Sequence, residues 1–566
     1  MTPTPRLWKS ALTLASLSVL ARLAGAILPD GRPHGNIMRP AAVPIVQGNV
    51  NMNPTSSNGT QLPPLTTTYY FNQLIDHNNP SLGTFQQRYW HTWEFYEPGG
   101  PIILMTPGEA NAQPYYHYLT NLTINGRIAQ QQNGATIVLE HRFYGFSNPY
   151  PDLTVQSLHY HTIQQAIDDL EYFANNVNLP MPGGNKVTPS QAPWILVGGS
   201  YSGALTSWTM VNKPGVFYVG YASSAVVEAI LDFWQYFDPI RLNMPKNCSA
   251  DVQAVISYID YTFTGNNATA IQGIKDMFGM SNMTHLDDVA GALRNNLWDW
   301  QALQPTSGPG TLFYKFCDAL EVKNGISAPA SGWGLDYALS AWSSYFKNTY
   351  YPLLCGSLSA VDCLGTYDAT QSYYTDTSVD NASRSWFWIV CNEVGWLQEG
   401  APIGYPSLVT RLVQPPYDLR QCQLMFPAAF PQPPVVQTQA TNINYQGWGV
   451  EQNRLIFANG VRDPWRDATV SSDWINRQST PPQPIYEGDG FHCSDLGTAS
   501  GLIDSTVGAV QTAALADIKN WLTAWQPASS LVVKSTAGGS VNIPQPGSLV
   551  VVPKPINVFF KSSGTL

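Results

Sequence analysis

The sequence predicts an α/β fold, and three observations carry the prediction. A short apolar run over 192–197 leads through Gly198-Gly199-Ser200-Tyr201-Ser202-Gly203 into 204–208, whose residues favour a helix. That order is strand, sharp turn, helix. A second apolar run, 454–458, opens into the turn 459–465, and Ile485-Tyr486 opens into the glycine-flanked stretch 488–493. Both read as strands that end in loops. The 263 residues from Ser200 to Asp463 leave room for a large insertion between the two halves of such a core.

Composition agrees with a large folded body. The chain has 566 residues, of which 28 are Lys or Arg and 38 Asp or Glu. Its charged share of 12% is about half that of an ordinary soluble domain. Apolar residues make up 44% and aromatics 12%, with 18 Trp, 29 Tyr and 21 Phe, which supplies a core and excludes a disordered chain. A net charge of −10 and a pI near 5.3 exclude nucleic acid as the main partner, because polyanion binding needs clustered cations. The length suits two to four domains, or one α/β core with a large insertion.

The ends of the chain bear on compartment. Arg6 and Lys9, an apolar stretch over 11–21 and Ala24-Gly25-Ala26 follow the order of a secretory signal, expected over 1–26. No later span suits a bilayer, so no membrane association is expected once the signal is cut. Residues 27–64, rich in Pro, Asn and Gly and without periodicity, suit a propeptide or loose lead-in. Short Val-rich runs between Gly and Pro make 527–566 a tail. Six Asn-x-Ser/Thr sequons, at Asn58, Asn121, Asn247, Asn267, Asn282 and Asn381, fit a glycosylated protein. An oxidising compartment would pair six of the seven cysteines, with Cys493 the candidate left over. The expected location is extracellular, with a vacuole or lysosome-like compartment as the alternative.

A serine at the tip of a strand-to-helix turn is a candidate nucleophile, and small residues two positions to either side let strand and helix approach. Around Ser200 these are Gly198 and Ser202. The other frame, with Ser202 as nucleophile, is flanked by Ser200 and Ala204. A base must take the hydroxyl proton, and in α/β-hydrolases the triad order is Ser, Asp or Glu, His. Of nine histidines only His285 and His492 follow Ser200. His285 sits three residues after the Asn282 sequon and reads as surface, so His492 is the candidate base. Asp463, in the turn after 454–458, is placed to orient it. Asp467 and Asp489 are alternatives.

Taken together these residues resemble the prolyl serine peptidases, the family of prolyl carboxypeptidase and X-Pro dipeptidyl peptidase, and within it the secreted acid prolyl endopeptidases of fungi. The blocks that carry the resemblance are Asp76-His77-Asn78, 83–90, Thr106-Pro107-Gly108-Glu109, 140–145, the Ser200 turn, 374–379, Cys391-Asn392-Glu393, 459–467 and 490–496, in family order. The resemblance implies an α/β-hydrolase core over 65–230 and 431–526, with a helical cap inserted over 231–430. It implies Ser200, Asp463 and His492 as the triad and proline-containing peptides as substrates. It calls for neither cofactor nor metal.

The Tyr201 amide would supply an oxyanion donor, because it opens the helix after the nucleophile. Trp465 and Trp396 would wall a proline ring, although both also suit plain core packing. Glu109 and Glu393 would bind a substrate amine or act as structural carboxylates. Cys391–Cys422 and Cys248–Cys317 are the pairings it implies. Cleavage inside a chain and cleavage at its end remain alternatives, and oligomeric state is open. Family members work in acid, which calls for a His492 pKa below its ordinary value of about 6.5.

Overall fold

The computed structural model describes residues 32–40 and 42–527. The expected signal over 1–26 and all but the first residue of the expected tail lie outside them. Eight strands form one sheet: β1 (Tyr69–Leu74), β2 (Thr84–Thr92), β3 (Ile102–Met105), β4 (Ala135–Leu139), β5 (Trp194–Gly199), β6 (Val219–Ser223), β7 (Leu455–Gly460) and β8 (Ile485–Gly488). Their spatial order is β1-β2-β4-β3-β5-β6-β7-β8, and every pairing from β4 to β8 is parallel. The β1–β2 and β2–β4 pairings are antiparallel, so β2 alone of the eight runs against the rest. This is the α/β-hydrolase fold.

The parallel strands are apolar on both faces because helices cover both. Side chains alternate between two cores, as the period of two requires. Ile102, Leu104, Leu196 and Phe457 face one side, where helices α2 (Ile163–Asn176) and α3 (Tyr201–Asn212) pack. Ile103, Met105, Val197 and Ile456 face the other, with α1 (Ile124–Gln132) and the C-terminal helix (Ser505–Leu522).

Between β6 and β7 the chain builds a largely helical insertion. It includes α4 (Lys246–Thr264), α5 (Leu286–Trp298), α6 (Leu312–Glu321), α7 (Leu335–Tyr345) and α8 (Pro415–Met425). Phe313, Phe316, Cys317 and Leu320 of α6 recur at helical spacing and are the apolar residues it buries. Three disulfides, Cys248–Cys317, Cys355–Cys363 and Cys391–Cys422, staple this region, while Cys493 is free and buried. Among the described residues no helix is long and apolar enough to cross a membrane.

The lead-in departs from the expectation of a loose segment. Ile37 and Met38 are buried in one core and Val43 in the other, and Leu62 is buried as well. Its prolines and glycines prevent regular structure, and its few large apolar side chains are what anchor it.

Candidate active site

Strand β5 ends at Gly199, and Ser200 turns the chain into α3 with φ 58° and ψ −127°. A non-glycine residue held there is strained, and such strain marks nucleophile turns. Gly198 is required, since a Cβ on it would lie 2.0 Å from the Ser202 carbonyl oxygen. The Ser202 hydroxyl donates to the Gly199 carbonyl at 2.8 Å and accepts from the Gly199 amide at 3.1 Å. Ser202 therefore ties the turn together, and its hydroxyl is committed to that role. Ser200 Oγ is buried and makes no hydrogen bond.

His492 and Asp463 meet on the neighbouring loops. The His492 ring nitrogen Nδ1 lies 2.9 and 3.0 Å from the two Asp463 oxygens, and the Trp465 amide donates to one of them at 2.9 Å. This leaves Nε2 as the free edge of the imidazole, buried and without a hydrogen bond. Strand pairing brings the histidine loop to the serine. The Ser200 amide donates to the Ser223 carbonyl at the end of β6, and Ser224 Oγ accepts from the Cys493 amide at 2.9 Å. The competing acids are elsewhere engaged: Asp489 pairs with Arg462, and Asp467 accepts from Ser472 and the Asp473 amide. His285 is exposed and stacks on Tyr367.

An aromatic box adjoins His492. The Trp465 ring lies 6.2 Å from His492, 5.7 Å from Phe233, 5.3 Å from Tyr236 and 5.9 Å, edge to face, from Trp396. Trp386 stacks on Trp396 and meets Tyr201, so the box extends to the residue after the nucleophile. Trp396 sits at φ 56° and, like Ser200, is a buried residue in a strained conformation.

One turn of the insertion grips these parts. Trp300 Nε1 donates to the Arg462 carbonyl, and Gln301 Oε1 accepts from both Trp465 Nε1 and the Tyr236 hydroxyl. Gln304 Nε2 donates to the His492 carbonyl, and Ser494 Oγ donates to Gln304 Oε1. Sequence reasoning missed Phe233, Tyr236, Gln301 and Gln304, since lone residues in an insertion carry no local pattern.

The two glutamates part company. Glu393 accepts from the Ile163 amide at 3.1 Å, at the start of α2, so its carboxylate serves a helix N-terminus. Glu109 is buried on the loop after β3, which stands against the serine turn: a Cβ on Gly108 would lie 3.2 Å from Ser202 Cβ. Four sequon asparagines, Asn58, Asn121, Asn267 and Asn282, are exposed, while Asn247 and Asn381 are half-buried. Other quoted blocks form a buried frame. Arg88 and Glu140 make a two-bond pair, and Arg142 and His77 both bond to Asp169.

Electrostatics correct one expectation. Burial pushes the His492 pKa down, but the Asp463 carboxylate outweighs it and holds the imidazole well above its ordinary range. The direction is opposite to the depressed value expected from sequence. Cys493 adds no charge in neutral or acid solution, because burial raises its thiol pKa. Burial also lifts Glu393 to about 7 and Asp495 to about 6. Asp495 lies under the site and accepts from the Tyr221 and Ser223 hydroxyls.

With serine, imidazole and carboxylate so arranged, relatives can be compared. The defining pattern of the family described as serine carboxypeptidase S28 matches residues 73–301 and 314–507. The serine protease vicPb of Bipolaris victoriae (strain FI3) is 35% identical over 472 residues, covering 80% of this chain and 88% of its own. Its vicPa counterpart is 36% identical, with the same coverage. A probable extracellular serine carboxypeptidase of Arthroderma benhamiae (strain ATCC MYA-4681 / CBS 112371) is 28% identical over 77% of this chain and 64% of its own. The pattern spans most of the chain and includes Ser200, Asp463 and His492, and the chain belongs to the S28 family of serine-type peptidases.

Proposed function

We propose that this chain is a secreted serine peptidase that hydrolyses peptide bonds on the C-terminal side of proline, acting within chains. Ser200 Oγ attacks the prolyl carbonyl while His492 Nε2 takes its proton. Asp463 holds the Nδ1–H tautomer and steadies the imidazolium. The Tyr201 amide, at the start of α3, faces the oxyanion, and the loop after β3 provides the second donor. Proton return from His492 releases the amine, and water repeats the cycle on the acyl-enzyme.

The observation that carries the proline reading is the box of Trp465, Trp396, Phe233 and Tyr236 against His492. A pyrrolidine ring is flat and apolar and lacks an N–H, and aromatic walls complement it without needing a hydrogen-bonding partner. Action within chains is favoured because the cations next to the site, Arg462 beside Asp463 and Arg39 acting on Tyr236, are each paired with an aspartate. Three disulfides and an extracellular relative support secretion.

The test is a prolyl peptide amide blocked at both ends, with its alanyl counterpart. We expect cleavage after proline, and Trp465→Ala is expected to cut the proline-over-alanine ratio of kcat/KM by about 10–200-fold. Cleavage only after one end is unblocked identifies an exopeptidase. Turnover of simple esters with no proline preference identifies an esterase.

Acid affects fold and rate in opposite ways. Glu393 and Asp495 bind protons more tightly folded than unfolded, so stability falls as pH rises from their unfolded values, about 4, through about 7 and about 6. The raised His492 has the same sign: its pairing with Asp463 is fully present below about 6.5 and is lost as pH rises through its folded pKa. Thermal unfolding is therefore expected to be on the order of 5 °C higher at pH 5 than at pH 8. Acylation needs neutral His492, so kcat/KM falls on the acid side. Because Asp463 holds the His492 pKa up, the acid limb of kcat/KM is expected above about pH 6.5.

A further inference from the structure

The side-chain donors in the four walls of the aromatic box are all committed. Trp396 Nε1 donates to the Glu228 carbonyl at 2.7 Å. Trp465 Nε1 and the Tyr236 hydroxyl both donate to Gln301 Oε1 at 2.9 Å. Phe233 has no donor to give. A proline within a peptide brings no N–H, and what its ring nitrogen carries is the carbonyl of the preceding residue, an acceptor. That oxygen needs a donor that the side chains of the walls do not supply.

Gln301 has one to spare. An indole N–H can only donate, so the amide oxygen of Gln301 has to face Trp465, and this fixes which end of the amide is left over. Nε2 makes no hydrogen bond, and the half-buried side chain leaves it open to solvent. Bond lengths put Nε2 at most about 2.6 Å from Oε1, and so within about 5.5 Å of both Trp465 Nε1 and the Tyr236 oxygen. The four walls are themselves fully buried. Gln301, bonded to two of them and open to solvent, marks a way from the box to the surface, and the chain that precedes a bound proline needs such a way. The turn that carries it, Asp299–Ala302, is tied to both catalytic loops: Trp300 Nε1 donates to the Arg462 carbonyl at 2.8 Å, and Gln304 Nε2 donates to the His492 carbonyl at 2.8 Å. The donor is thereby held at a fixed place relative to the triad.

We propose that Gln301 is a specificity-determining residue whose Nε2 donates to the carbonyl preceding the substrate proline, while its Oε1 holds Trp465 and Tyr236 in place. This rests on the proline reading of the box. One side chain then shapes the pocket for the ring and reads the acyl group on the ring nitrogen. It favours a proline inside a chain over an N-terminal proline or a bare five-membered ring, both of which leave the donor unpaired once water is excluded.

The experiment uses the full chain, Gln301→Glu and Gln301→Met, with the nitrophenyl esters of N-acetylproline, N-acetylalanine and cyclopentanecarboxylic acid. The last has the five-membered ring without nitrogen or preceding carbonyl. At about pH 8, where the new carboxylate is ionised, Gln301→Glu keeps the acceptor for Trp465 and Tyr236 and loses the donor. Its kcat/KM for the acetylprolyl ester is expected to fall about tenfold or more, with the cyclopentane ester nearly unchanged. Gln301→Met loses both functions and is expected to slow both esters, the acetylprolyl ester more. The unaltered enzyme is expected to prefer the acetylprolyl over the cyclopentane ester by about tenfold, and equal rates overturn the proposal without any variant. Equal losses on the two esters in Gln301→Glu, or no loss on either, also overturn it, the first leaving Gln301 a prop for the walls. If the acetylalanyl ester is turned over as fast as the acetylprolyl ester while Gln301→Glu spares only the cyclopentane ester, the donor stands and the proline reading falls. No turnover of any ester overturns both.

Discussion

Replacing Ser200 with alanine is expected to lower kcat for a prolyl amide by about 10⁴-fold or more, with cooperative unfolding unchanged. The size follows from chemistry. Without Oγ there is no acyl-enzyme, and only binding and oxyanion donors remain to assist water. The fold is indifferent because Ser200 Oγ makes no hydrogen bond, while the turn is held by Gly198 and by the Ser202 bonds to Gly199. Ser202→Ala separates the two frames. It removes bonds that shape the turn and is expected to lower stability by about 1 kcal/mol while leaving measurable turnover.

Asp463→Asn is expected to lower kcat by about 10⁴-fold, with KM little changed. Asp463 accepts from His492 Nδ1, which leaves Nε2 as the lone-pair nitrogen. An asparagine amide can donate to Nδ1 instead, and that would place the proton on Nε2, the wrong tautomer for a base. The substitution also removes the charge that holds the His492 pKa up, so burial would prevail and the pKa would fall. The residual activity should show its acid limb at lower pH than the unaltered enzyme. A purely structural role for Asp463 would reduce the rate without moving that limb.

The serine turn and histidine loop were legible in the sequence because each is a local pattern: an apolar strand, then a glycine-rich turn. The strand order was not legible, since pairings such as β6 with β7 join residues separated by the whole insertion. Ser202, an open alternative on spacing, is assigned by its bonds to Gly199. Gln301 and Gln304 carried no pattern, because their role is to reach loops more than 160 residues away. The His492 pKa was misjudged from an expected acid optimum, whereas the local balance between burial and an adjacent carboxylate sets its direction. The lead-in was misjudged because Pro and Gly forbid helix and strand but do not prevent packing. Ile37, Met38 and Val43 are enough to hold it.

Acyl transfer from proline to Ser200 leaves a covalent intermediate that can be trapped. Enzyme turning over a blocked prolyl ester is quenched in acid, digested and mapped by mass spectrometry. A prolyl acyl adduct is expected on the peptide that contains Ser200, absent from Ser200→Ala. Turnover with no adduct, or an adduct on another residue, would contradict it.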